Sequence, residues 1–286
     1  SFAITYNMYK DLKIKLSYGK SINRPEFREI SPYSFYDFEE NATVQGNIML
    51  KNSYINNFDL RLENYLSSNE MMSIGFFYKN FKNPIEIQLI NMGSGYNYGY
   101  HNARKAIIYG FETELKISLA KLYFIRNSSF LNKISIGGNY SRIISKLYDN
   151  YDYNVRDSIR QMQGQSPYVL NIGLWYESKN SGLNIFYNTV GERLAYVGDK
   201  TTPHIYEKPM PSLDIVFSHR IGKISFKAGI KNLLNESVEF KMYQYSLLNL
   251  RDTNNDNIND EPIRIVEKTK YFKPGRSFNL SISIDF

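Results

Sequence analysis

The stretch RDTNNDNINDEP sets Asp252, Asn254, Asp256 and Asp260 so that oxygen ligands recur at alternate residues, as they do at the opening of a calcium loop. It lacks the glycine at the sixth position and the bidentate glutamate at the twelfth that an EF-hand requires. A solvated acidic loop is the simpler reading, and structural calcium is the single cofactor the residues suggest. An ion held there would stiffen the loop and catalyse nothing.

A second stretch, GSGYNYGYHN, is rich in glycine and tyrosine. A phosphate loop would need a following Lys-Ser/Thr and a strand leading into a helix, and neither is present. It reads instead as a mobile external loop whose Tyr96, Tyr98 and Tyr100 could touch a ligand. His101 closes it, a candidate haem ligand with an ordinary surface histidine as the simpler alternative. The other two histidines, His204 and His219, stand far from it in sequence and have no partner at metal-ligand spacing. In RPEFRE, Arg24, Glu26, Arg28 and Glu29 alternate in sign. Arg24 and Arg28 could bind an anionic ligand, although pairing among neighbouring loops is the safer assignment. There is no nucleophile elbow and no His-Glu-x-x-His, and no Ser, His and carboxylate stand close in sequence, so the chain is read as a non-enzyme.

The elements that carry these residues are strands. The closing GRSFNLSISIDF puts Phe278, Leu280, Ile282, Ile284 and Phe286 on one face, with Ser277, Asn279, Ser281, Ser283 and Asp285 on the other. Alternation of this kind recurs along the 286 residues, and eleven strands are expected, near 2–9, 12–20, 58–66, 71–80, 106–118, 132–143, 168–177, 183–191, 212–219, 224–232 and 276–286. With 25 Tyr and 18 Phe but a single Trp, the composition favours strands and turns. No apolar run approaches the roughly 18 residues of a spanning helix, which excludes a helical membrane protein but not a β-barrel. The absence of cysteine rules out disulfides, thiolate zinc sites and thiol nucleophiles. A net charge of +7 suggests an anionic partner or, equally, a surface that is simply mildly basic. Its lysines are spread along strands such as LKIKLSYGK and ISFKAGIK, so a nucleic-acid partner is not expected.

Short connections (YKD, SSNE, SKNSG, RIGK) alternate with long ones near 21–57, 81–105, 144–167, 192–211 and 233–275. Outer-membrane barrels put short turns on the periplasmic side and long loops outside. Counting back from the C-terminus places that end in the periplasm and the N-terminal end outside. An odd strand count does not close a bacterial barrel, so the chain is expected to be the C-terminal part of a longer one.

The blocks YGKSINRPEFREISPYSFYDF, GNIMLKNSYINNFDLRLENY, HNARKAIIYGFETELK, GQSPYVLNIGLWYES, YNTVGERL, KNLLN and the closing GRSFNLSISIDF give the chain a family likeness. It resembles the C-terminal half of TonB-dependent outer-membrane receptors, particularly those common in the Bacteroidetes. Ile48 and Asn52 depart from the family's usual prolines. The resemblance implies an all-β, antiparallel transmembrane barrel section, about half of a 22-stranded barrel with a plugged lumen. It places the plug, the signal peptide and the TonB-engaging segment upstream, with no plug domain in this chain. It also implies that Phe286, with Ile284 and Ile282, forms the signal read by the barrel-assembly machinery. The remaining implied partners are the TonB complex acting through the plug, lipid and lipopolysaccharide, and an unknown small ligand. Import of a scarce ligand is the function so implied. The residues alone also fit a passive porin, an adhesion barrel or, more remotely, an outer-membrane hydrolase.

Overall fold

A computed structural model describes residues 1–38, 41–67, 69–90, 96–122, 128–149, 157–245 and 264–285. Eleven strands lie side by side, each antiparallel to the next: β1 (Phe2–Asn7), β2 (Leu12–Asn23), β5 (Ser53–Ser67), β6 (Glu70–Lys82), β9 (Lys105–Ser118), β10 (Ile134–Tyr148), β12 (Tyr168–Glu177), β13 (Ser181–Val190), β16 (Ser212–Ile221), β17 (Ile224–Lys231) and β20 (Ser277–Ile284). The sheet is open, with β1 and β20 as its two edges. A two-residue strand, β11 (Ile159–Arg160), adds to the top of β10.

Direct partners carry one apolar row across the sheet, since residues opposite each other in an antiparallel pair share a face. Ile4 faces Leu16, Leu16 faces Leu60, Leu60 faces Phe76, and Phe76 faces Phe111. At the other edge Phe217 faces Ala228, which faces Leu280. This greasy face is not a core: Phe76 is 52% exposed and Leu280 74%. Apolar exposure on that scale marks a surface meant for another apolar phase.

The opposite face is polar. Lys15 Nζ lies 2.8 Å from Glu63, Arg61 Nε lies 2.9 Å from Glu63, and Arg61 Nη2 lies 2.7 Å from Glu114, a charge ladder from β2 across β6 to β9. Gly75, opposite Arg61, presents no side chain to block the crossing. Farther along, Asn171 Nδ2 donates to Asn139 at 2.7 Å and Asn188 donates to Asn171, forming an amide ladder from β13 to β10. Charges half-open to water are cheap to keep, which suits a wet interior.

The short connections all sit at one end of the sheet; Gly222 turns between β16 and β17 at φ +59. The connection between β9 and β10, longer than the others at this end, carries a helical turn, α1 (Leu119–Leu122), and a short 3-10 segment over Leu131–Lys133. Several strands run farther than the alternation predicts: β5 starts at Ser53 and β10 continues to Tyr148. The long connections are not simple loops. They hold β3 (Ser34–Asp37), β4 (Ala42–Gln45), β7 (Ile85–Leu89) and β8 (Tyr96–Asn102) in one four-stranded sheet of order β3-β4-β8-β7. A second four-stranded sheet joins β14 (Arg193–Tyr196), β15 (Ile205–Glu207), β18 (Val238–Tyr245) and β19 (Arg264–Phe272).

Candidate functional site at the long-connection end

The two small sheets meet where Gln88 bridges to Val197 and Leu89 N donates to Val197 O at 2.9 Å. Here the buried apolar residues gather: Ala42, Val44 and Tyr98, with Phe35, Ile87, Leu89, Tyr100 and Tyr196 packed on them. Tyr98 and Tyr196 lie 5.2 Å apart with tilted rings, Tyr196 lies 6.3 Å from Phe240, and Tyr206 lies 5.5 Å from Tyr243. Aromatic rings thus run from one sheet into the other.

From Tyr96 to Asn102 the glycine and tyrosine stretch expected as a mobile loop is therefore a central strand, paired in parallel with β4 and antiparallel with β7. Its alternation sends Tyr98 into the core, and Gly99 fits because a Cβ there would meet Ile90 at 3.2 Å. Tyr100 is half-buried, and burial together with Glu29, Glu26 and Asp37 nearby pushes its phenol pKa up. Tyr96 pairs with Ala42; its side chain lies outside the described residues.

His101 is not a surface histidine. It is buried, its Nε2 lies 2.7 Å from Asp149 Oδ2, and Asp149 also accepts from Arg160 Nη2 at 3.5 Å. Arg160 Nη1 lies 2.5 Å from Glu86, whose Oε1 accepts from Gln163 N at 3.3 Å. Buried charges persist when each is paired. Burial pushes the Glu86 carboxyl up, against the pull of Arg160. The free nitrogen of His101, Nδ1, is buried with no hydrogen-bond partner among the described residues. The ring lines a cavity of about 290 Å³ with Asn47, Lys51, Asn102 and Arg104. The network Glu86–Arg160–Asp149–His101 escaped sequence reading because its members lie on two separate long connections.

Arg24 and Arg28 are exposed. None of Arg24, Glu26, Arg28 and Glu29 enters an ion pair among the described residues. Arg28 instead lies 5.4 Å from the Phe35 ring centre, and Glu29 Oε2 accepts from Glu26 N at 2.8 Å. Cation and ring attract where the side chain leaves water only in part. Asp252, Asn254, Asp256, Asp260 and Phe286 lie outside the described residues, while Ile282 and Ile284 stand on the exposed apolar face of β20.

The second sheet adds a feature the sequence did not reveal. Glu239, buried, lies 3.3 Å from Lys241, 3.5 Å from Lys268 and 3.7 Å from Lys208, and its Oε1 accepts from Ser237 at 2.9 Å. That hydrogen bond and the ammonium groups hold its carboxyl at about 2. One carboxylate among three lysines leaves an excess of positive charge beside the ring array.

Remaining histidines are tied down locally. His204 accepts from Gly198 N at 2.9 Å and pairs with Asp157 at 3.0 Å. His219 Nδ1 lies 2.8 Å from Ser181 Oγ on the apolar face, and no carboxylate bonds its ring among the described residues. A serine and histidine without an orienting acid make an incomplete triad.

The family model described as TonB dependent receptor-like, beta-barrel, matches residues 1–233. Among solved structures, the siderophore receptor PirA from Acinetobacter baumannii is similar at 16% identity with a TM-score of 0.57, covering 99% of this chain and 40% of that one. The ferric enterobactin receptor PfeA, in complex with BCV-L6, gives 16% identity and a TM-score of 0.55 over 82% of this chain and 35% of its own. FpvA of P. aeruginosa, bound to a heterologous pyoverdine, gives 14% and 0.53 over 83% and 29%. These likenesses establish a shared fold, and the chain spans between 29% and 40% of those three proteins. No curated protein matches.

Proposed function

Because the chain belongs to the TonB-dependent receptor-like β-barrel family, we propose that it forms part of an outer-membrane receptor that captures a scarce ligand outside and imports it with energy relayed through TonB. The family's barrels belong to the outer membrane, and on that footing the small sheets face outward, the short turns face the periplasm, and β1 starts on the outer side. The eleven strands are one section of a larger barrel, in keeping with the open edges of the sheet and the share of the similar receptors that it spans.

The observation that carries the reading is the mouth built by the two small sheets, where three lysines outnumber Glu239 beside an array of rings. Ammonium groups and aromatic faces suit an anionic, ring-bearing ligand. Siderophores, which the similar receptors are named for, are of that class, and a ferric siderophore is the first candidate. The site is one of binding and not of catalysis.

The test is uptake of radiolabelled ferric catecholate, ferric hydroxamate and haem by cells carrying the full-length receptor, with and without TonB. Uptake of one of them that disappears without TonB supports import. Equal flux of small sugars in both strains would establish a passive porin in its place.

A further inference from the structure

At the short-connection end of the polar face lies a cavity of about 540 Å³, lined by Glu70, Lys116, Lys121, Lys133, Trp175 and Glu177 with serine hydroxyls between them. Trp175 is the single tryptophan of the chain. Alternation along β12 puts it on the same face as Asn171, so its indole turns away from the apolar side of the wall. A bed of bare backbone receives it. Gly137 and Gly173 are direct partners on β10 and β12, and a Cβ would come within 2.5 Å of the indole at Gly173 and within 3.1 Å at Gly137. The ring thus lies against the wall. Phe186 meets it at 5.8 Å with the two planes 75° apart, and Lys116 Nζ stands 5.6 Å from its centre.

The charges around this platform are unevenly matched. Glu70 is satisfied, since it pairs with Lys121 and accepts from Ser67 Oγ at 2.8 Å and from Ser118 N at 3.1 Å. Lys116, Lys133 and Glu177 enter no ion pair among the described residues. Beyond the cavity, the short connections carry Lys10, Lys179 and Lys223, all exposed and likewise outside any described ion pair, against one further such carboxylate, Asp11. Positive charge therefore runs along this end of the sheet from the platform outward.

We infer that the Trp175 pocket and the lysines beside it bind the glycan of the cell-wall polymer, whose amino sugars carry peptides with free carboxylates. A sugar ring sets its C–H bonds on the negative face of an aromatic ring. Its hydroxyls suit the serines, and the carboxylates of its peptides suit Lys116 and Lys133 through charge-assisted contacts. A soluble anion has no use for the indole bed, and a neutral glycan has none for the lysines. Lysines strung over separate turns favour an extended anion over a small one. This assignment depends on the reading that puts the short connections in the periplasm, where the wall polymer lies, and is independent of which ligand is imported.

The full-length receptor, purified in detergent, is sedimented with isolated sacculi, with chitin, which offers the sugar without carboxylates, and with polyglutamate on beads, which offers carboxylates without sugar. Binding to sacculi is expected to be roughly tenfold tighter than to either control, and to weaken roughly tenfold in the K116Q/K133Q variant, because hydrogen bonds to charged groups are worth that much. Trp175→Ala should erase the preference for sacculi over polyglutamate while leaving polyglutamate binding intact, a split that general unfolding does not produce. Heat-modifiable migration on a gel reports folding; if the variants are unfolded, displacement of the unaltered receptor from sacculi by soluble muropeptides decides, and failure to displace counts against the site. Equal binding to sacculi and polyglutamate, or unchanged binding by the folded variants, would overturn the inference. So would no binding at all, which would mean that another part of the receptor covers the pocket. Sacculus binding by a receptor that shows no TonB-dependent uptake would uphold the inference while the import reading fell.

Discussion

The Nε2 of His101 and the Oδ2 of Asp149 meet at 2.7 Å although 48 residues separate them in the chain, and both side chains are buried. The same Asp149 oxygen, Oδ2, meets both His101 Nε2 and Arg160 Nη2, so it is the hinge of the buried polar network.

Asp149→Ala leaves the buried His101 Nε2 without its carboxylate and Arg160 with Glu86 alone. Removing one partner of a buried pair typically costs about 3 kcal/mol. The loss is expected locally, as faster hydrogen exchange at β8 amides, with β2 amides unchanged. Full protection of β8 in the variant would show that the network does not hold the sheet.

Acidification should loosen the second small sheet. The Glu239 carboxyl is lowered from 4.5 to about 2 in the fold, so its contribution is complete above pH 4.5 and is lost as pH falls toward about 2. Proteolysis of the long connections across this range is expected to accelerate in the native receptor. In Glu239→Gln that acid-dependent step disappears; an identical acid profile in both proteins would assign it to another group.

Gly110 packs where a Cβ would lie 1.9 Å from the Arg142 carbonyl oxygen, whereas at Gly19 the nearest atom would be 3.8 Å away. Gly110→Ala therefore has to part β9 from β10, at a cost of about 2 kcal/mol or more. It should lower the amount of heat-modifiable barrel in the outer membrane, with Gly19→Ala as the neutral control. Equal levels of the two variants would refute the close approach.

Arg61 and Glu114 are coupled across β6, yet their side chains are 35% and 41% exposed. Water screens such a pair to about 0.2–1 kcal/mol. A double-mutant cycle with Arg61→Met and Glu114→Gln, read by urea unfolding of the full-length receptor, should return a coupling in that range. A value several times larger would mean the interior is drier than the ladder's exposure implies.

Phe286 is proposed as part of the signal for barrel assembly. Its deletion is expected to reduce the receptor in the outer membrane, measured by surface labelling; unchanged surface levels would reduce it to the last apolar position of an edge strand.

All eleven wall strands were legible because an apolar phase on one side and a polar interior on the other impose a period of two on every strand between them. Ile14, Leu16 and Tyr18 against Lys13, Lys15 and Ser17 need no partner to be read that way, and the placing of short and long connections followed from the same count. The reading weakened where that asymmetry ends. In Ser53–Asn57 and Ser145–Tyr148 the strands continue beyond the apolar rows with apolar and polar residues mixed on both faces, so their true bounds emerged only from pairing. The small sheets were hidden for a stronger reason: β8 becomes a strand through β4, which is more than 50 residues earlier, and through β7 beside it, and local alternation in GSGYNYGYHN does not say which partners exist. Likewise Glu86, His101, Asp149 and Arg160 each look like an ordinary polar residue in sequence. Only the tertiary structure, by bringing two long connections together and excluding water from between them, turned these four residues into one ionic network.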